Sequence, residues 1–304
     1  MRTLPTRMKL TAYNMKLMQA EQFILHSRKY CKFGLRFLPM AVIENALRAS
    51  ISNTLYGILR RQNNMTTTIF ESFIHILILT PLLIWGRQKN KVGDLKPIIF
   101  FVVIYVVTNL LVNAGSNINF FQGQQWNWVG KGMAIIVGLL FIAIIPTFNR
   151  TTFGITTKMS WSETKPLLTF CFIYLIIRTG LYATSSDATL IINAETTFYQ
   201  ATLPGLQEEL LYRGILLGLL SSIFVNPSFK FLKVNFGLAT IITSLLFGFA
   251  HSININENFS FSFNYFALFR TAFDGFIFAL FTEKTKSIFP GIVFHNILNL
   301  IGIH

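Results

Sequence analysis

An all-α, polytopic transmembrane helix bundle of about eight spans, preceded by a basic amphipathic segment, is the fold that three observations predict. The 304-residue chain is 52% apolar but only 12% charged, about half the charge of an ordinary soluble domain. Apolar runs that approach the roughly 20 residues needed to cross a bilayer recur from residue 65 onward. The net charge of +14 is gathered at one end: residues 1–64 hold 11 Lys and Arg against 2 Asp and Glu, and residues 65–304 hold 15 against 10. No separate basic domain is left to grip a duplex, which excludes a nucleic-acid partner. Two cysteines, Cys31 and Cys171, make neither a secreted disulfide framework nor a cysteine-based zinc site.

Within residues 1–64, Met40, Ile43, Leu47, Ile51, Leu55 and Ile58 recur every three or four positions, with Arg48, Arg60 and Arg61 on or beyond the other face. That pattern predicts a basic amphipathic helix lying on a membrane surface. The integral domain, residues 65–304, is expected to cross near 69–85, 97–112, 133–146 and 167–182, then near 203–225, 236–251, 265–281 and 289–303. Phe, Ile and Leu fill these runs all round, as lipid-facing helices require, and closed helices satisfy their own backbone groups.

The connecting loops alternate in charge. Arg87, Lys89, Lys91 and Lys96 follow the first run, Arg150, Lys158 and Lys165 the third, Lys230 and Lys233 the fifth, and Lys284 and Lys286 the seventh. The others carry little: Lys131 at the edge of one, then Asp187, Glu195 and Glu257. The positive-inside rule puts the basic loops in the cytoplasm and the residues just before the first span outside. Translocating residues 1–64 contradicts the same rule. Either one span is miscounted and the amphipathic helix lies on the inner surface, or translation begins at Met65. Both readings expect a multi-pass membrane protein, and the compositional bias toward Phe, Ile and Asn fits an AT-rich bacterial genome and hence a bacterial plasma membrane.

Ionisable groups at the centre of a span cost about 2.5–3.5 kcal/mol each and mark function. The strongest cluster is Gln207-Glu208-Glu209-Leu210-Leu211-Tyr212-Arg213. Glu209 and Arg213 are i,i+4 with the acid first, the favoured order for an ion pair. Glu208 lies about 100° round the helix and lacks that partner. Glu208 is therefore the general-base candidate, and Glu209–Arg213 the structural brace. Gly214 and Gly218, roughly opposite Glu209, are expected to admit a neighbouring helix. The plainer alternative is that the acids and Arg213 snorkel at a helix end.

Phe247 and His251 are i,i+4, as are His295 and Asn299, so each pair shares a helix face. A lone histidine in an apolar helix is more often satisfied by a neighbour than catalytic. Glu, His, and His plus Asn on three late helices together supply a water-activating group and an oxyanion donor, with or without a metal. Glu71 with His75, and Arg270 with Asp274, have pairing spacing and are expected to be structural. Arg178 is expected to snorkel or to counter a carboxylate. A phosphate-cradling Gly-rich loop, G-x-S-x-G and H-E-x-x-H are all missing, which removes nucleotide-driven transport, serine hydrolases and the common zinc proteases.

Glu208-Glu209-x-x-x-Arg213, Phe247-x-x-x-His251 and His295-x-x-x-Asn299, in that order, resemble the motifs of the CAAX prenyl protease and bacteriocin-processing (Abi) family of intramembrane metalloproteases. The resemblance covers about residues 200–304. It implies peptide-bond hydrolysis in or beside the bilayer, on membrane-associated peptides or small proteins. It implies that Glu208 activates water, that His251 positions or polarises it, and that His295 and Asn299 stabilise the oxyanion. Glu209 joins that catalytic set, with Arg213 and Phe247 as support. Zinc or another divalent metal held by Glu208, His251 and His295 is one implied cofactor arrangement; a metal-free glutamate mechanism is the other. Two further classes compete: a non-enzymatic bacteriocin-immunity or signalling scaffold on the same fold, and a proton-coupled transporter using the carboxylates as a relay. The repeated halves and broken helices common in such transporters are not visible.

Overall fold

The computed structural model describes residues 65–116, 118–144, 153–183, 193–224, 229–256 and 259–302. The amphipathic segment expected within residues 1–64 lies outside them, as do Arg150, Asp187 and Glu257. The described chain is helical, with two short hairpins. First come α1 (Met65–Lys89), α2 (Lys96–Ser116), α3 (Trp128–Ile144) and α4 (Lys165–Ala183). A short α5 (Ala194–Gln200) leads to α6 (Leu203–Glu209), which runs through a π-wound stretch (Leu210–Leu216) into α7 (Leu217–Ser221). Then follow α8 (Leu238–Ser252), α9 (Tyr265–Thr285) and α10 (Phe289–Ile301). Antiparallel β1 (Phe229–Phe231) and β2 (Val234–Phe236) precede α8, and antiparallel β3 (Ile253–Ile255) and β4 (Phe261–Phe263) follow it.

Every expected span falls on a helical segment, and among the described residues α1, α2, α4 and α9 are the helices long and apolar enough to cross a bilayer. The helices α3, α8 and α10 have 17, 15 and 13 residues, and at 1.5 Å per residue the shortest reaches about 20 Å of a roughly 30 Å core. Among the described residues four helices are thus candidate spans, and the other four expected spans fall on shorter or composite helical segments. Apolar runs alone do not separate a helix that faces lipid from one enclosed by other helices. All seven residues of the π-wound stretch are buried, as is most of α8.

The outer helices behave differently. Among the 19 residues of α4 only Leu167 and Cys171 are buried, while Phe172, Ile173, Ile176, Ile177 and Leu181 are exposed. Ile69, Phe73, Leu77 and Ile84 on α1 and Phe266 and Phe269 on α9 are exposed too. Contiguous apolar surface on this scale belongs against lipid. The chain is a multi-pass membrane protein. Its interior gathers around the π-wound stretch, where Leu79, Phe101, Leu216, Leu219, Leu220, Ile242, Leu246 and Ile277 are wholly buried.

The close approaches to that stretch are made by glycines of the neighbouring helices rather than by its own. A Cβ at Gly138 on α3 would lie 3.3 Å from both Ile215 and Leu210, and one at Gly275 on α9 would lie 2.6 Å from the Arg213 guanidinium. Gly214 instead faces the backbone oxygen of Phe153, in a connecting segment and not on a helix. An α-helical wheel misplaces it because a π turn holds more residues than an α turn.

Two expected side-chain pairs also differ. Asp274 bonds Arg178 at 3.0 Å and accepts from the Tyr174 hydroxyl, tying α9 to α4, while Arg270 is exposed. Glu71 accepts the Ile255 N–H at 2.6 Å, and His75 Nδ1 bonds the Tyr105 hydroxyl at 2.8 Å. These bonds pin β3 and α2 to α1. The i,i+4 spacing fixed which residues share a face; partners from other helices then competed successfully for their hydrogen bonds.

Candidate active site

Glu208 and Glu209 are the last two residues of α6, where the winding changes. Pro204 opens this helix, a position where its missing N–H costs nothing. The helix is held from α10: the Gly205 N–H donates to Asn296 Oδ1 at 3.1 Å, and Asn296 Nδ2 donates to the Thr202 carbonyl at 3.3 Å. Single π-wound turns inside α-helices are rare and often sit at functional sites. Here the turn begins one residue after the two acids.

The inner layer of the site is fully buried. Glu209 Oε1 accepts from Arg213 Nη1 at 3.2 Å and from His295 Nδ1 at 2.8 Å, with both Glu209 and Arg213 side chains 0% exposed. The Arg213 guanidinium lies over the rings of Phe247 at 4.4 Å, Phe278 at 5.2 Å and Tyr212 at 5.5 Å. A weakly hydrated planar cation suits such an aromatic box better than an ammonium would.

Around Glu208 lies a second layer. Its Oε1 accepts from Lys131 Nζ at 2.5 Å, and the same ammonium donates to Gln207 Oε1 at 2.8 Å. The expectation that Glu208 is unpaired is therefore corrected. Its partner comes from α3, a helix whose distance along the chain no spacing rule reaches. The other oxygen, Oε2, has no hydrogen-bond partner and lies 3.7 Å from His251 Nε2 and 3.8 Å from His295 Nε2. His251 Nδ1 bonds the Phe247 carbonyl at 2.8 Å, and a carbonyl only accepts, so Nδ1 carries a proton. The same holds for His295 Nδ1 against the Glu209 carboxylate. Each imidazole thus turns its Nε2 toward Glu208 Oε2.

Exposure grades across the cluster. The His295 side chain is 6% exposed, Glu208 15% and His251 37%. The site opens on the His251 side and is closed behind Glu209. Glu208, Glu209, Arg213, Phe247, His251 and His295 are brought together from α6, the π-wound stretch, α8 and α10. Asn299 lies one turn along α10 from His295, half-buried, and no hydrogen bond joins its side chain to these six. Among the described residues, no three His, Cys, Asp or Glu side chains are arranged to hold a metal ion, and Lys131 already holds one Glu208 oxygen.

Residues 189–301 match a family described as type II CAAX prenyl endopeptidase Rce1-like. The ordered acid, histidine and histidine motifs all fall inside that stretch. That part of the chain is similar to the CAAX prenyl endopeptidase family. No curated protein and no solved structure matches the chain. The matched stretch excludes Lys131, so one contact to Glu208 comes from outside it. Lys131 is also the residue that sequence reasoning passed over, having placed it at a loop edge. Its signal is that it is the sole charge in the α3 sequence. Asn296, between the motif residues His295 and Asn299, was likewise unassigned and holds α6 in place.

Proposed function

We propose that the chain is an intramembrane endopeptidase of a bacterial plasma membrane. It hydrolyses peptide bonds of membrane-associated peptide or protein precursors with a glutamate-activated water. The observation that carries this reading is the bare Glu208 Oε2 facing two imidazole Nε2 atoms at 3.7 and 3.8 Å. Those separations are too long for direct hydrogen bonds, and they suit one water within reach of all three.

In the proposed reaction Glu208 Oε2 takes a proton as the water oxygen attacks the scissile carbonyl carbon, with His251 polarising the water. The carbonyl becomes an oxyanion. His295, held at Nδ1 by Glu209, turns its Nε2 to that oxyanion as the donor that the family resemblance implies, with Asn299 the second. Collapse of the intermediate returns the proton from Glu208 to the leaving nitrogen. The products are one new carboxyl terminus and one new amino terminus. Wide exposure at His251 provides the side from which a peptide enters, and the buried Glu209–Arg213 layer holds the geometry behind it.

Glu208→Gln is the test. General-base removal is expected to lower cleavage of a reporter peptide by roughly 10²–10⁴-fold, with membrane insertion and abundance unchanged. A biological effect that survives both Glu208→Gln and His295→Ala would point instead to a scaffold. Solute movement against a proton gradient without cleavage would point to transport.

A further inference from the structure

The sole charged residue of α3 sits on the proposed base, and nothing in the family-matched stretch accounts for it. An ammonium in an otherwise apolar helix is retained only against a cost, and its most economical site would be the membrane interface. Lys131 instead turns inward, its side chain 13% exposed. It bridges two side chains from consecutive positions of α6, Gln207 and Glu208. Gln207 is itself 4% exposed. The base of Lys131 is fixed as well: the Gly130 N–H donates to Asn127 Oδ1 at 2.9 Å, and Asn127 Nδ2 donates to the Val112 carbonyl at 2.7 Å. The ammonium is thus held by its helix below and by two acceptors above.

A glutamate carboxylate turns in a broad, roughly two-fold torsional well, so its two oxygens exchange readily unless one is tied. Here Oε1 is tied and Oε2 is bare, aimed between the two imidazoles. We propose that Lys131 is a positioning residue that decides which oxygen of Glu208 receives the proton from water. It presents Oε2 and withholds Oε1. This deepens the protease reading and rests on Glu208 being the water-activating base. Lys131 touches neither water nor peptide in this scheme, so its loss acts on turnover rather than on substrate capture.

The full chain in lipid vesicles, carrying Lys131→Met or Lys131→Arg, tests this with two readouts. With a reporter peptide, Lys131→Met is expected to lower kcat by about 10²-fold, the scale of an ångström's misplacement in a reacting group. KM is expected to stay within about twofold, and Lys131→Arg to fall between Met and wild type. An infrared difference spectrum, wild type minus Glu208→Gln, isolates the Glu208 carboxylate stretch, and Lys131→Met is expected to shift that band. A kcat within about threefold of wild type, or a raised KM at constant kcat, overturns the proposal. An unshifted band overturns it too. The infrared readout needs no turnover, so a shifted band with no peptide cleaved by wild type rejects the protease reading and leaves the positioning of Glu208 supported. If Lys131→Met does not accumulate, Lys131→Arg decides by the same two readouts: unchanged kcat and an unshifted band reject the role.

Discussion

Glu209 serves two donors with one oxygen, and that economy sets what its removal does. Glu209→Gln keeps the shape but leaves a wholly buried Arg213 charge without its counterion. Breaking a buried pair in this way costs about 3–5 kcal/mol, and we expect it as a lowered unfolding midpoint in detergent, together with lost cleavage as His295 loses its carboxylate. The pair was legible in the sequence because an i,i+4 contact is local: four residues of helix bring both ends together whatever the rest of the chain does. Lys131 was not legible. Its contact with Glu208 spans 77 positions and exists only because α3 packs on α6. The same holds for Asp274, whose local partner Arg270 lost to Arg178 on another helix.

Helix packing around the site depends on small residues lying opposite large ones. Gly275→Ala pushes a methyl to 2.6 Å from the Arg213 guanidinium and 3.1 Å from the Phe247 ring. Overpacking of this kind costs about 1–3 kcal/mol and is expected to lower the unfolding midpoint. Gly180→Ala on α4 is the control. Its Cβ meets nothing within 4 Å, so the gain in helix propensity, up to about 1 kcal/mol, is expected to leave the midpoint unchanged or raised. The positions of the helices were legible from apolar runs, because a run of that length has few other ways to satisfy its backbone. Their lengths were not, and neither was the π-wound turn after Glu209. An apolar stretch reads alike whether lipid or protein surrounds it. A widened turn leaves no mark on a wheel drawn at 100° per residue.

Across the whole molecule, every described residue placed at the site lies between Lys131 and Asn299. A chain beginning at Met65 is therefore expected to insert and to cleave the reporter peptide at the full-length rate, measured in the same vesicles. The order of the three motifs was the most informative feature of the sequence. It showed which helices carry the polar side chains, although only the fold could show that those helices meet. The outward faces of α1, α4 and α9 leave the polar cluster enclosed by helices whose other sides are oily.

The second imidazole of the centre rides on α10, which is made after α6, α8 and α9. A nascent or clipped copy that stops short of α10 would own the acid and one histidine, but would have only Arg213 to bond Glu209 Oε1 and would lack the proposed oxyanion donors. Under the proposed function, competence for cleavage would thus arrive only with α10, so that a half-made copy poses no hazard to the other chains being threaded into the same membrane.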